Sequence, residues 1–559
     1  MKDVLSPFVS YIAASVLVAA VFAVYSPALN FEFILDDHRF VGDPRLKSSG
    51  HVWEYFTSYV WSQFTGGPSS FYRPVFVLWI RLNFILTEAS PWGWHLLSIA
   101  KHAAVAVLLG LLLWKLLKDR VAALMAATLF ALHPAQTESV AWSTVPDPLM
   151  SAGVLGGLLM YLEYATRRSA EIGPPAGRSR RKSRREAHRQ SKTARPGWWI
   201  AASTVAILAA LMAKETAVVV PAILFAMTLI VPAEKLRADR EEASVGARMA
   251  SAFHATLPFL GAIVVYFLLR LNALGHISPQ TQHLPWKTVL LSWPATLWFY
   301  VKVMLWPAHE WAFADPNLAE TLSLRGVVFP GLGVCCAGAL LGGVCTWADG
   351  AARRSLPDLE AGGVQRALLL GVSLLVLPIL LVLNLNSLNP GDFLHGRYTY
   401  LPLAGLMLLA ATAWHVAKKW RFILLLAAGL VTVAFAALTI QQERMWKDDL
   451  TVFTVAHQYA PHNDPVSLNL TRAHVQVALR LDEDDRCNEA MPIFDEATRE
   501  YPQDWYAWAG RGECLVKLND LPRAEQSLRR AFELSQNSHI AEQLQQVREM
   551  RGLSSAPPN

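Results

Sequence analysis

A small set of side chains in this sequence could do chemistry, and they come in short runs between long apolar stretches. Asp36 and Asp37 stand side by side in FEFILDDHRFVGDP, residues 31–44, directly after the first apolar run. SSFYRPVFVLWIRLNF brings Arg73 and Arg81, and HPAQTESVAW brings His133 and Glu138. AKETAVVVP sets Lys214 beside Glu215, and FLHGRYTYLP carries His395, Arg397, Tyr398 and Tyr400. Ionisable residues at membrane depth are costly, so they stand out as candidates for function. Acids and several cations gathered near one interface suit a lipid-phosphate substrate. The cations would hold the phosphate, and an acid would take a proton.

Each run also has a plainer reading. His133-Pro134 can simply stop a helix. Lys214 and Glu215 can form a structural ion pair between hairpin helices. Arg73 and Arg397 can snorkel to lipid headgroups, and Arg81, which has no motif of its own, reads as structural. The acid pair resists such a reading, because a solvated loop edge explains one acid better than two between FEFIL and Phe40. A metal held by Asp36, Asp37 and His38 is the alternative use of that pair.

The elements that must position these residues are membrane spans. Of 559 residues, 53% are hydrophobic and only 17% charged, and the mean hydropathy is +0.28. Soluble chains carry nearer a quarter charged residues. Apolar stretches recur from residue 7 to about 440 and then stop, which predicts a membrane domain over 1–440 and a soluble domain over 441–559. The first apolar run reads as an uncleaved span. Basic stretches at 167–195, 234–248, 348–354 and 418–421 belong in the cytoplasm, and the first of them, bracketed by spans, is not a nucleic-acid arm. Spans are expected near 7–29, 94–117, 121–133, 148–165, 198–212, 217–231, 252–270, 327–347, 365–384, 399–416 and 421–440. WKTVLLSWPATLWFYVKVMLWP, residues 286–307, has a Trp-Pro break and a central Lys302, and reads as a re-entrant or interfacial hairpin on the outer side. These eleven crossings put the N-terminus inside, and put the C-terminus and every candidate above outside.

In the tail, Ala490 and Ala524, Phe494 and Leu528, and Ala497 and Ala531 are each 34 residues apart. That period, with DWYAWAGRGECLVKLND between, is the tetratricopeptide pattern, repeated two to three times. The fold class expected is therefore all-α: a polytopic bundle followed by a short solenoid that grips polypeptide. Cys335, Cys336 and Cys345 fall in a span as small apolar residues, while Cys487 and Cys514 can pair if the tail is extracytoplasmic.

The acid doublet in the first outer loop, YRP, HPxxTExVAW, KE, RYxYLP and a tetratricopeptide tail together resemble the transmembrane and tetratricopeptide-containing O-mannosyltransferases of the GT-C glycosyltransferase superfamily. LDDHRF is also similar to the acidic loop of protein O-mannosyltransferases, with Asp36 on its first acid. This chain departs from the animal members in its few repeats and its basic cytoplasmic loop. The resemblance implies a GT-C-type bundle and a polyprenyl-phosphate sugar donor, dolichyl- or undecaprenyl-phosphate mannose. The acceptor would be a Ser or Thr of an extracytoplasmic polypeptide held by the repeats. Asp36, with Asp37 as the alternative, would take the acceptor proton in a single inverting displacement. Arg397, Lys214 and Arg73, in that order, would hold the leaving phosphate. His133, Glu138, Glu215, Tyr398 and His395 would orient sugar or acceptor. No cofactor or nucleic acid is implied. The compartment expected is a bacterial inner membrane with a periplasmic tail, with the endoplasmic reticulum as alternative. A rival build is an oligosaccharide ligase using a lipid diphosphate, or a non-catalytic membrane anchor for a peptide-binding module.

Overall fold

The computed structural model describes residues 2–62, 71–171, 196–230, 244–276, 284–308, 318–387 and 394–552. Most of the basic stretches expected at 167–195 and 234–248 lies outside the described residues. The chain divides into two compact units, Met1–Lys447 and Asp448–Asn559. Among the described residues all regular structure is helical.

In the first unit the helices are α1 (Lys2–Val24), α2 (Asp36–Val41), α3 (Pro74–Thr87), α4 (Pro91–Leu117), α5 (Arg120–Ala131), α6 (Thr137–Ala141), α7 (Asp147–Glu171) and α8 (Pro196–Ala213). They continue as α9 (Val220–Ile230), α10 (Val245–Leu274), α11 (Trp286–Leu305), α12 (Phe329–Ser355), α13 (Asp358–Val382), α14 (Tyr400–Val416) and α15 (Arg421–Glu443). Among the described residues, eight helices are long and apolar enough to cross a membrane, and five shorter apolar helices accompany them. The chain is thus a multi-pass membrane protein.

Two polar layers fix which way each helix runs. In one layer Asp119, opening α5, meets His415 and Arg421 at 2.9 Å each, at the end of α14 and the start of α15. Glu163 near the end of α7 meets Lys115 near the end of α4, and Arg248 near the start of α10 donates to the carbonyl of Leu229 near the end of α9 at 2.6 Å. This layer is rich in Lys and Arg, the composition expected of a cytoplasmic face. The opposite ends form the outer layer. There the N–H of Glu32 donates to the carbonyl of Lys447 at 2.9 Å, and the Thr439 hydroxyl donates to that of Leu132 at 2.9 Å.

Two apolar helices return to the layer they started from. The N-terminal part of α11 is tied to the outer end of α13, since the Trp293 indole donates to Leu383 O at 2.9 Å. Its far end is tied to outer residues too: Met304 O is bound by His133 and Pro307 O by Gln442. The helix therefore lies along the outer side, as its Trp-Pro break suggested, although it is one unbroken helix and not a hairpin. The other is α3, which is not among the spans expected from the sequence. Arg73 at its start reaches Glu215, and the carbonyl of Glu88 just past its end accepts from the Trp94 indole at 2.8 Å. With these two set aside, eleven apolar helices among the described residues remain as candidates to run between the layers.

Length alone does not decide how deep the outer layer sits. The 12 residues of α5 and the 11 of α9 reach only about 18 Å at ~1.5 Å per residue, short of a ~30 Å hydrocarbon core. Lys214 and Glu215 follow the 18 residues of α8, which reach about 27 Å, so burial shows their setting better than length does. His133 and Lys214 are both buried, walled by protein and not by lipid.

In the second unit the helices are α16 (Asp449–Tyr459), α17 (Asp464–Glu483), α18 (Cys487–Glu500), α19 (Trp505–Lys517), α20 (Leu521–Ser535) and α21 (Ser538–Met550). The starts of α18 and α20 keep the 34-residue spacing, and Ala490, Phe494, Ala497, Ala524, Leu528 and Ala531 are all buried. Close packing here needs glycine: a Cβ on Gly510 would come within 2.5 Å of the Phe494 ring. Cys487 and Cys514 form a disulfide with a Cα–Cα separation of 5.2 Å, within the normal range.

Candidate functional site

The first outer loop is built to hold α2 rigidly. Arg45 pairs with Asp43 at 2.6 Å and donates to Val60 O at 2.7 Å, and Arg81 donates to the carbonyls of Arg45, Leu46 and Ser48. Arg81 thus has the structural role its isolation suggested. Phe40 packs against Trp61 and Phe76, with ring centroids 4.5 and 5.5 Å away. Leu35, immediately before the acids, has φ +52° and ψ −121°, which a branched residue adopts only under constraint. Strain is thus stored directly at the doublet.

The two acids differ. Asp37 is fully buried: Oδ1 accepts the Thr144 N–H at 3.1 Å and Oδ2 accepts that of Ile34 at 3.4 Å. Burial raises its carboxyl to about 6, against the pull of hydrogen bonds from Thr144, Ile34 and Ser143 and of the His38 charge. Asp36 is only partly covered. It is the more accessible of the two acids, while Asp37 anchors a neighbouring segment.

That segment, WSTVPD (142–147), links every part of the site. At one end the Arg397 guanidinium lies over the Trp142 ring, 4.6 Å from its centroid. In the middle Thr144 meets Asp37. At the far end both oxygens of Asp147 accept from Lys214 Nζ, at 2.6 and 2.7 Å. Lys214 in turn lies over Tyr398, 4.8 Å from the ring centroid, and Arg397 flanks the same ring at 5.7 Å. Burial pulls the Lys214 ammonium below its ordinary value; the Asp147 carboxylate opposes this, and the nearby charges of Arg73 and Arg397 add to it. Arg73, Lys214 and Arg397 therefore form one cation cluster, although they enter from three distant parts of the chain.

Lys214 and Glu215 do not pair with each other. Lys214 has extended backbone, φ −158° and ψ 135°, so neighbouring side chains leave on opposite sides. Lys214 goes to Asp147, and Glu215 takes Arg73 in a two-pronged pair at 2.6 and 3.1 Å. Glu138 organises the other flank. Its Oε2 accepts the Arg397 N–H at 2.9 Å, and its Oε1 lies 2.8 Å from His395 Nδ1 and 3.4 Å from Arg397 Nη1. Burial favours the neutral acid, but the charges of His395 and Arg397 win and hold Glu138 below the usual carboxylate value. The ring of His395 also meets Tyr398 edge-on.

His133 has a different task. Nδ1 accepts the Ala135 N–H and Nε2 donates to Met304 O, both at 3.1 Å, and burial lowers its pKa to about 4. It caps the turn after α5 and ties down α11, with both nitrogens committed to backbone. Tyr400 sits behind the cluster, its hydroxyl 2.6 Å from His102 Nδ1. Two residues of the site, Asp147 and Lys101, escaped sequence reading. Asp147 lies just before the span expected over 148–165. Lys101 is a charge inside the span expected over 94–117, which was itself the available signal. Among the described residues, the one cluster of possible metal ligands is Asp482, Cys487 and Cys514, in the second unit.

The resemblance read from the motifs is borne out by known proteins. The chain is 24% identical over 556 residues to the human protein O-mannosyl-transferase TMTC3, covering 92% of this chain and 54% of that one. It is 25% identical over 529 residues to human TMTC1, covering 88% of this chain and 55% of that one. Drosophila melanogaster Tmtc2 is 32% identical over 204 residues, 35% of this chain and 19% of that one. The chain spans about half the length of the curated relatives it matches over most of its own length. No protein-family model matches it. Among solved structures, the Archaeoglobus fulgidus oligosaccharyltransferase complexed with Zn and sulfate aligns with TM-score 0.43 at 13% identity, covering 82% of this chain and 57% of that one.

Proposed function

We propose that the chain is a membrane protein O-glycosyltransferase of GT-C type. It moves a hexose, mannose, from a polyprenyl-phosphate donor to Ser or Thr hydroxyls of an extracytoplasmic polypeptide. The observation that carries this reading is the gathering of Arg73, Lys214 and Arg397 around Tyr398, joined to the acid doublet by one short segment. Its similarity to protein O-mannosyl-transferases supports the same chemistry.

In this mechanism Asp36 takes the proton of the acceptor hydroxyl as its oxygen attacks the anomeric carbon. The bond from that carbon to the phosphate oxygen breaks, the configuration inverts, and the cations stabilise the departing phosphate. Arg397, stacked on Trp142 and oriented by Glu138, is the first choice for the phosphate; Lys214 and Arg73 share its charge. Glu138, His395, Glu215 and Tyr398 fix these cations in place. Buried cations can stabilise a leaving phosphate without a metal.

The membrane wall offers room for a lipid tail. A cavity of about 360 Å³, almost wholly apolar, opens between α11, α12, α13 and α14, with Leu297, Met304, Leu341, Leu406 and Leu409 among its walls. Leu406 and Leu409 lie about 9 and 14 Å down α14 from Tyr400, at ~1.5 Å per residue. A phosphate at Arg397 and an isoprenoid in this cavity fit one molecule. The 34-residue helical repeats of the second unit are the natural grip for an acceptor. The disulfide supports an oxidising compartment for them, a bacterial periplasm or an endoplasmic reticulum lumen.

The test is transfer by the purified protein in lipid from radiolabelled polyprenyl-phosphate mannose to a Ser/Thr-rich peptide. Label should reach the peptide and be lost in Asp36→Asn at unchanged donor binding. Label moved only from a diphosphate-linked donor would replace this reading with an oligosaccharide ligase.

A further inference from the structure

The passing helix α4 carries a lysine well inside the protein. Lys101 is 5% exposed, and its ammonium donates to the carbonyl of Val145 at 3.1 Å. The Trp79 ring of α3 lies 5.7 Å from it, so the charge is roofed by an aromatic face. The carboxylates acting on this ammonium are Asp147 and Asp37. One neutral carbonyl is poor recompense for a charge held at this depth, so what the lysine holds must matter.

What it holds is the middle of the segment that joins the acid doublet to the cation cluster. Between Trp142 and Asp147 the main chain is neither strand nor continuous helix, and Pro146 offers no N–H. Three bonds to other elements fix it: Thr144 N–H to Asp37, Val145 C=O to Lys101, and the Asp147 carboxylate to Lys214. Lys101 alone sits between the other two and answers both carboxylates.

We propose that Lys101 is a positioning residue for the transfer reaction: it clamps Val145 so that Thr144 stays on Asp37 while Asp147 stays on Lys214. The catalytic part of this inference rests on the reading given under Proposed function; the clamp itself does not.

The experiment compares wild type with Lys101→Met, Lys101→Gln and Lys101→Arg, as full chains in lipid. Two quantities are read: transfer kinetics against pH, and hydrogen exchange of the peptide containing residues 142–147. The charged and hydrogen-bonding groups facing Asp37 are the Ile34 N–H just before its helix, His38 on that helix, Ser143 and Thr144 on the segment, and Lys101 on α4. Removing the ammonium takes away a positive charge, so the acid limb of kcat should move to higher pH. In Lys101→Met, kcat should fall about tenfold or more with donor KM little changed, as expected for lost positioning. Exchange at 142–147 should rise. Lys101→Arg should restore most of both. Should Lys101→Met fail to fold, Lys101→Gln keeps a donor for Val145 while removing the charge, and must still shift the limb. A folded Lys101→Met with unchanged exchange, or with kcat within about twofold and an unmoved limb, overturns the proposal. If wild type transfers nothing, the exchange result still judges the clamp, and only the proposed reaction falls.

Discussion

The backbone N–H of Thr144 donates to Oδ1 of Asp37 across 107 residues of sequence, and this bond joins the first outer loop to the segment that carries Trp142 and Asp147. A carboxylate used this way is an anchor. It is also buried enough for its charge to be in doubt near neutral pH, since burial raises it to about 6.

The pH dependence of Asp37 therefore has a definite sign. Below about pH 6 the folded protein holds it protonated, a weaker partner for the Thr144 amide, so transfer should fall as pH drops through that value. Asp37→Asn keeps an acceptor oxygen for Thr144 and should flatten this limb. Stability should move too. The folded value lies above the ordinary 3.8, so this group's contribution is full below pH 3.8 and is lost as pH rises to about 6. Asp37→Asn should then stabilise the protein by about 3 kcal/mol at pH 8 and by almost nothing near pH 4. Melting curves at the two pH values decide it, and equal shifts at both would refute the assignment.

The Lys214–Asp147 pair should behave as a buried pair and not as a surface one. Their side chains are 7% and 4% exposed. Lys214→Met alone leaves a buried carboxylate without its cation and should cost about 3–5 kcal/mol. The double variant Lys214→Met, Asp147→Leu should recover most of that loss while transfer stays absent. Thermal unfolding followed by tryptophan fluorescence distinguishes the two. A double variant no more stable than the single one would mean that the pair is not coupled.

The site was legible in the sequence in its ingredients but not in its pairings. Periodicity and charge located the spans, and the motif order located the doublet, Arg73, Glu138, Lys214 and Arg397. Pairing failed at Lys214 and Glu215 because adjacent residues on extended backbone face apart, so their partners lie 67 and 142 residues away. Helix α3 was missed because a 14-residue apolar helix is too short to announce a span, and its lying across the outer side is a property of its end contacts. The burial of His133 and Lys214 was not legible, because it depends on which helices surround the ends of α5 and α8. Lys101 was hidden by its neighbours, since one charge barely lowers the hydropathy of a long apolar run.

Glu138 should set donor affinity through Arg397. Its oxygens face the Arg397 N–H and guanidinium and the His395 ring. Glu138→Gln keeps the size and one acceptor but removes the charge that balances these groups. Charged hydrogen bonds contribute about 1.5–3 kcal/mol, so donor KM should rise about tenfold or more. The acceptor-peptide KM should change much less. A Glu138→Gln enzyme that loses affinity for peptide and not for donor would move Glu138 to the acceptor side.

Cys487 and Cys514 give the last test, because the same two sulfurs stand beside Asp482, whose Oδ1 is 2.8 and 3.2 Å from them. A disulfide and a two-thiolate metal site make opposite predictions for reagents. With a disulfide, both cysteines resist alkylation until a reductant is added, and a chelator alone does nothing. With a metal, the chelator alone exposes them. We expect the first result, read by mass spectrometry of chain recovered from its native membrane. The two cysteines are 27 residues apart, so the loop they close should be worth about 3–4 kcal/mol of unfolded-chain entropy. Replacing both with Ser should lower the stability of the second unit by up to that amount and leave the melting of the membrane unit where it was. Thiols that react freely in the native membrane without reductant would remove both the cross-link and the argument for an oxidising compartment.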